Sequence, residues 1–244
     1  MNNFRPSEDD LHFQCVPYTP KYNSDGLLDY QDFLLTFQNA AGSHVEKLGL
    51  GDKFKDENEF YYILCRLKGH FLSKFEKGKK YTLITYPTQA STLQLYRYAY
   101  VLDENDNVVF YLISLWVLIN QKTRRLQNAK AFKEKIKEVL PDIDDVKPYI
   151  DEKLYELDFS NIDFSFCKTY KVTGVDIDSN NHMNNTAYMK IVQYETDTNT
   201  TPSFEIDFEK ECFIDEQINI YKHDKSFIGK KADDSISFLV QFTK

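Results

Sequence analysis

The sequence predicts an α+β protein whose two halves repeat one plan: a strand, a helix, then an antiparallel run of strands. Three observations carry this expectation. Tyr30, Leu34, Phe37, Ala41, Val45 and Leu48 form an apolar stripe at helical spacing. Aromatic and β-branched runs separated by turn residues follow it, and the same order restarts after residue 165.

In the first half a strand is expected over about residues 12–18, followed by a turn rich in Pro, Asn, Ser, Asp and Gly. The helical stripe closes at Gly49 and Gly51, which suit a C-terminal cap. Strands are expected near 59–71, 79–87, 92–103 and 108–119, the last two joined by the polar turn Glu104-Asn105-Asp106-Asn107. The connector that follows holds a short helix from Ala129 to Leu140, stopped by Pro141, and an acidic run over 142–145. In the second half a strand at about 165–174 leads into a helix at about 184–195, with Asn184 or Asn185 as its N-cap. Strands near 204–213, 216–224 and 235–243 complete it. The divisions expected are 1–125, a connector over 126–164, and 165–244.

Placing Phe33 opposite Tyr188 sets Asp25 and Leu27 against Asn180 and His182, a weak repeat argued from element order. The last strand runs almost to Lys244, so the second sheet is expected to be shortened or completed by another copy of the chain. A homodimer is therefore an expectation.

Across 244 residues the formal charge is −8, which counts against general nucleic-acid binding. Lys122, Arg124, Arg125, Lys130, Lys133, Lys135 and Lys137 are the basic exception, read either as a patch for an acidic partner or as a solvated helix face. The start lacks the apolar stretch of a signal peptide and no run approaches the length of a membrane span, so a cytoplasmic protein with no stable membrane insertion is expected. Cys15, Cys65, Cys167 and Cys212 are too dispersed for a metal site or a disulfide framework, and the eight glycines form no phosphate loop. No metal or organic cofactor is expected.

Residues 176–188, Asp-Ile-Asp-Ser-Asn-Asn-His-Met-Asn-Asn-Thr-Ala-Tyr, concentrate the potential chemistry. In an extended segment Asp178, Asn180 and His182 would share one face. The helix pattern that follows puts them at a helix N-terminus, where unpaired N–H groups favour an oxygen that becomes anionic. A turn is the competing reading of so many Asn and Asp residues. A calcium loop is disfavoured because Asn181 and Ala187 stand where Gly and a bidentate Glu would be needed.

Nearly the whole chain resembles the acyl-acyl carrier protein thioesterases of plants and bacteria. The most specific element is Asp178-x-Asn180-x-His182-x-Asn184-Asn185-x-x-Tyr188. It is supported by Gln38-Asn39-Ala40-Ala41-x-x-His44-x-x-x-Leu48-Gly49, Arg97 with Asp103, Trp116-Val117-Leu118-Ile119 ahead of Thr123-Arg124-Arg125, and Glu211-Cys212. The resemblance implies two tandem hotdog domains, each an antiparallel sheet wrapped around a central helix. It also implies hydrolysis of a fatty acyl thioester carried on the phosphopantetheine of acyl carrier protein. Carried over by position, Asp178, Asn180, His182 and Glu211 are the implied catalytic set, with the acyl chain accepted toward the first half.

An acyl-CoA thioesterase and a non-catalytic acyl-binding protein are the alternatives. Cys212 admits a covalent Cys/His/Asn scheme, although a cysteine in an apolar strand is more often a small buried hydrophobe. Residue types alone leave open which carboxylate would act as base.

Overall fold

In a computed structural model of the chain, the described residues are 5–243 apart from 8, 89, 151, 179 and 196–202. The first half runs β1 (Gln14–Tyr18), α1 (Tyr30–Lys47), α2 (Asp52–Glu57), β2 (Phe60–Phe71), β3 (Tyr81–Pro87), β4 (Gln94–Leu102) and β5 (Val108–Asn120). The two-residue strand β6 (Leu126–Gln127) and the helix α3 (Lys130–Val139) lead out of it. The second half runs β7 (Ser165–Lys171), α4 (Asn185–Val192), β8 (Ser203–Phe208), β9 (Gln217–His223), β10 (Ser226–Lys230) and β11 (Ile236–Thr243).

All the strands belong to one antiparallel sheet ordered β1-β3-β4-β5-β2-β8-β11-β10-β9-β7, with β6 paired to β5. Within each half the first, third, fourth, fifth and second strands are neighbours in that order. The halves meet where their second strands pair, with Arg66 opposite Asp207 and Gly69 opposite Phe204. Each half is a hotdog fold, with α1 and α4 as the central helices.

The second sheet is therefore not shortened. The expectation of a missing strand fails because β10, Ser-Phe-Ile-Gly-Lys, is short and returns from β9 through a tight turn with Asp224 at φ 50°. With five strands in each half, a missing strand no longer argues for completion of the sheet by a second chain.

The helix α1 buries Phe33, Leu34, Phe37 and Ala40 against the sheet, and Asp29 caps its start by accepting the Asp32 N–H. It ends as expected, with Gly49 at φ 69° just beyond Leu48. The core is shared: Phe33 and Phe110 of the first half pack in one cluster with Tyr188, Phe204 and Phe238 of the second. The Tyr30 N–H donates to the Gln193 side-chain oxygen at 3.0 Å, joining the start of α1 to the end of α4.

The connector covers surface rather than merely spanning it. Phe132 and Ile136 of α3 pack on Leu48, Leu50, Phe60 and Leu118. Val146, Tyr149, Ile150 and Leu154 then cover the outer face of the first sheet at Ile84, Tyr86, Tyr98 and Tyr100. The short α2 escaped the strand-and-helix pattern because it buries none of its residues.

Candidate active site

Between Asp176 and the start of α4 the chain forms a tight loop, not the extended stretch that alternation suggested. Ile177 and Met183 form an isolated antiparallel bridge, and Asn181 between them adopts a left-handed φ of 63°. One oxygen of Asp178, Oδ1, accepts the N–H groups of Asn180 at 2.8 Å and His182 at 3.4 Å. The turn reading is thus realised, in a loop that carries Asp178, Asn180 and His182.

The loop is anchored from below by Asp176, a buried carboxylate. It accepts from the Thr173 N–H and hydroxyl, the Tyr170 hydroxyl and the Lys190 ammonium. Burial alone would raise its pKa, but these bonds outweigh burial and hold it below the usual carboxylate range.

The first half carries the same loop. Tyr22 and Leu28 form the matching bridge, Gly26 takes the left-handed position at φ 79°, and Asn23 Oδ1 accepts the N–H groups of Asp25 and Leu27. Every one of these correspondences keeps the register that sets Phe33 opposite Tyr188. The repeat is weak in sequence and close in hydrogen bonding.

Glu211 reaches the loop from a different part of the chain. The expected strand over 204–213 stops at Phe208, after which Glu209 and Lys210 both donate their N–H groups to the Ser237 carbonyl and the chain turns. Met183 then donates its N–H to the Cys212 carbonyl at 2.7 Å, tying the two loops together. Asp178, Asn180, His182 and Glu211 all line one pocket of about 110 Å³, with Tyr62, Asn185 and Tyr188 among its other walls. His182 Nδ1 lies 3.3 Å from Glu211 Oε1, and the Phe213 ring stands edge-on to the imidazole at 5.0 Å.

At the start of α4 most donors are already engaged. The Asn184 N–H bonds the Asp176 carbonyl, the Thr186 N–H bonds Asn184 Oδ1, and the Ala187 N–H bonds the Asn184 carbonyl. That leaves the Asn185 N–H as the candidate oxyanion donor there, a narrower site than a bare helix end suggests.

Cys212 is fully buried, and its thiol contacts the Ser237 hydroxyl at 3.0 Å. Burial pushes its pKa up, which disfavours the thiolate a nucleophile needs. Three residues at the site were not assigned from the sequence: Phe213, Lys231, whose ammonium donates to the Glu211 carbonyl at 2.9 Å, and Arg124. The Arg124 guanidinium, which the sequence offered as part of a basic patch and of the Thr123-Arg124-Arg125 block of the resemblance but with no role at the site, donates through Nη2 to both oxygens of Glu211 at 3.0 and 3.3 Å.

A larger cavity of about 410 Å³ lies in the first half beside α1. Ala41, Val45, Leu95, Trp116 and Phe132 give it apolar walls, Arg97 adds a buried cation, and Tyr62 borders both cavities. Among the described residues no cluster of His, Cys, Asp and Glu suits a metal ion, and no helix is long and apolar enough to cross a membrane.

Two family models match the chain: the acyl-ACP thioesterase N-terminal domain over residues 19–138 and the acyl-ACP thioesterase C-terminal domain over 159–243. No curated protein matches the chain by sequence. Among solved structures, an acyl-ACP thioesterase from Bacteroides thetaiotaomicron is similar with a TM-score of 0.79 at 18% identity, over 95% of this chain and 97% of that one. The 12:0-ACP thioesterase from Umbellularia californica is similar with a TM-score of 0.77 at 17% identity, over 97% and 98%. These two likenesses speak for the fold, and the two domain models, matched in order along most of the sequence, show that the chain belongs to the acyl-ACP thioesterase family.

Proposed function

We propose that the pocket formed by Asp178, Asn180, His182 and Glu211 is where this family's reaction takes place: hydrolysis of a fatty acyl-acyl carrier protein to free fatty acid and carrier thiol. One observation carries the assignment. Glu211 and His182 come from separate loops, yet they meet in a pocket that also holds Asp178 and Asn180 and shares the wall residue Tyr62 with a larger, mostly apolar cavity.

In this reading Glu211 orients the imidazole through Nδ1, leaving Nε2 to take a proton from water. The hydroxide attacks the thioester carbonyl carbon, and the tetrahedral oxyanion is held by the Asn185 N–H and the Asn180 amide. Collapse breaks the C–S bond. The leaving thiolate, a weak enough base to depart readily, recovers the proton from His182. Asp178 shapes the loop through its backbone bonds and places Asn180 and His182. The buried, hydrogen-bonded Cys212 is given a packing role.

The division of labour follows the cavities. Residues 1–125 would accept the acyl chain beside α1, residues 126–164 would connect, and residues 165–244 would supply the catalytic groups. This chemistry needs a single copy of the chain. A homodimer would have to form through surfaces other than a missing strand, and light scattering of the purified protein measures it directly.

The test is release of free fatty acid from a panel of acyl-acyl carrier proteins beside the matching acyl-CoA esters, with His182→Ala as control. The expected result is faster hydrolysis of the carrier-bound series, lowered about 10²–10⁴-fold in the variant. Equal or faster CoA hydrolysis would give the alternative carrier, and binding without hydrolysis would make the protein an acyl binder.

A further inference from the structure

Besides the sheet seam and the shared core, a polar link between the halves reaches a residue of the reaction pocket. Arg124 sits in the loop after β5, and its guanidinium spans to the carboxylate of Glu211 in the second half. We propose that Arg124 is a positioning residue that holds Glu211 in its working orientation toward His182, so that the first half completes the catalytic site of the second.

The loop is built to present this side chain. The Asn120 side-chain oxygen accepts the N–H groups of Lys122 and Thr123, and the Asn120 carbonyl accepts the Arg124 N–H. Gln121 ties the loop back to β2 by donating to the Glu59 and Phe60 carbonyls. Arg124 itself is left-handed at φ 56°, a conformation that costs a non-glycine residue energy and that these bonds sustain. The guanidinium lies 5.8 Å from the centre of the Tyr61 ring, which supports it from one side.

Glu211 needs such a partner because the bonds that hold its main chain do not reach its carboxylate. It lies outside the regular strands, its side chain is 34% exposed, and Lys231 is bonded to its carbonyl, not to its side chain. A carboxylate with free rotation would meet the imidazole only part of the time. One terminal nitrogen, Nη2, bonds both carboxylate oxygens, at 3.0 and 3.3 Å, and so holds the carboxylate in place, while the contact with the Tyr61 ring steadies the guanidinium itself. With the carboxylate held, Oε1 is the oxygen that lies 3.3 Å from His182 Nδ1.

The inference rests on Glu211 being catalytic, and the experiment separates the two. Initial rates are measured on an acyl-acyl carrier protein and on the same acyl group carried by N-acetylcysteamine, which has no carrier protein to dock. The enzymes are wild type, Arg124→Ala, Arg124→Gln, Arg124→Lys, Glu211→Ala and the Arg124→Ala/Glu211→Ala double variant. Arg124→Ala and Arg124→Gln are expected to lower kcat on both substrates by about 10–100-fold with little change in KM, and Arg124→Lys to recover part of the loss. In the Glu211→Ala background the loss of Arg124 should change nothing further.

A rise in KM confined to the carrier-bound substrate, adding in full to the Glu211→Ala effect, would make Arg124 a carrier contact and overturn the proposal. Full activity of Glu211→Ala would overturn the catalytic reading of Glu211 and the proposal with it. Arg124 is half exposed, so loss of the fold is not the expected result, and the Lys and Gln variants with their melting temperatures guard against it.

Discussion

Asp178 shows why residue type and residue role have to be separated. Its Oδ1 organises the loop, and Asn23 does the same in the first half with no charge at all. The negative charge at 178 is therefore not what the turn requires. Asp178→Asn is expected to keep stability within about 0.5 kcal/mol of wild type, because the amide oxygen can accept the same N–H groups. Any fall in kcat then reports the charge alone. Asp178→Ala should instead lose about 1–2 kcal/mol as well, since two loop N–H groups lose their acceptor. Urea unfolding of both variants beside their rates checks this, and equal stability of the two would show that the turn bonds contribute nothing. The position between the bridge residues gives a companion test. Asn181 is left-handed where the first half uses Gly26, so Asn181→Gly should be tolerated and Asn181→Val should cost about 1–2 kcal/mol in the same assay.

At the scale of elements, α1 is tied to the sheet by a buried polar contact whose protonation state the geometry dictates. His44 is fully buried; its Nε2 donates to the Leu11 carbonyl at 3.0 Å, and its Nδ1 accepts from the Arg97 guanidinium at 3.2 Å. A proton on Nδ1 would face that guanidinium without an acceptor. Burial first, and the Arg97 charge second, lower the pKa from 6.5 to about 3. The folded state thus binds this proton less readily than the unfolded chain. Its contribution to stability is complete above pH 6.5 and is lost as pH falls from there toward 3. Denaturant midpoints are expected to drop between pH 7 and pH 5, and to drop less steeply in His44→Gln, whatever that variant's stability at neutral pH. The elements themselves were mostly legible in the sequence. The stripe from Tyr30 to Leu48 predicts α1 because one helical face is buried, and the aromatic runs predict β2 to β5 because the sheet is covered on both faces there. The strand β10, Ser-Phe-Ile-Gly-Lys, was not legible, since two apolar residues side by side next to a glycine carry no alternation that tells them from a loop. In the site, the motif brought Asp178, Asn180 and His182 forward and the family resemblance added Glu211, whereas Arg124 reaches Glu211 across 87 positions of sequence, and no local pattern encodes such a pairing.

At the scale of the whole molecule, the two halves are expected to stand or fall together. Were they separate domains joined by a linker, each would have its own core and would unfold by itself. Here β2 pairs with β8 to make one sheet, and Phe110 stacks near Phe204 inside a core that both halves fill. Gly69 lies on that seam, and an added Cβ would come within 2.6 Å of the Phe204 ring and 2.7 Å of the Phe110 ring, both fully buried. Arg66 and the buried Asp207 also face each other there at 3.3 Å, a charge contact without hydrogen-bond alignment, while the Leu157 N–H from the connector bonds the same carboxylate oxygen at 2.8 Å. Unfolding of the wild type in urea should therefore follow one transition, by tryptophan fluorescence, which reports on Trp116 in the first half, and by circular dichroism of the whole sheet alike. Gly69→Ala should lower the midpoint of that single transition by an amount equivalent to about 1–3 kcal/mol, because the overpacked rings have no space to move into. Two separated transitions in the wild type, or a fluorescence change untouched by Gly69→Ala while circular dichroism shifts, would mean that the seam joins two independently stable units. A single transition would mean that the pocket beside α1 and the pocket at His182 are held in register by the same cooperative structure, which the proposed hydrolysis of one substrate spanning both cavities requires.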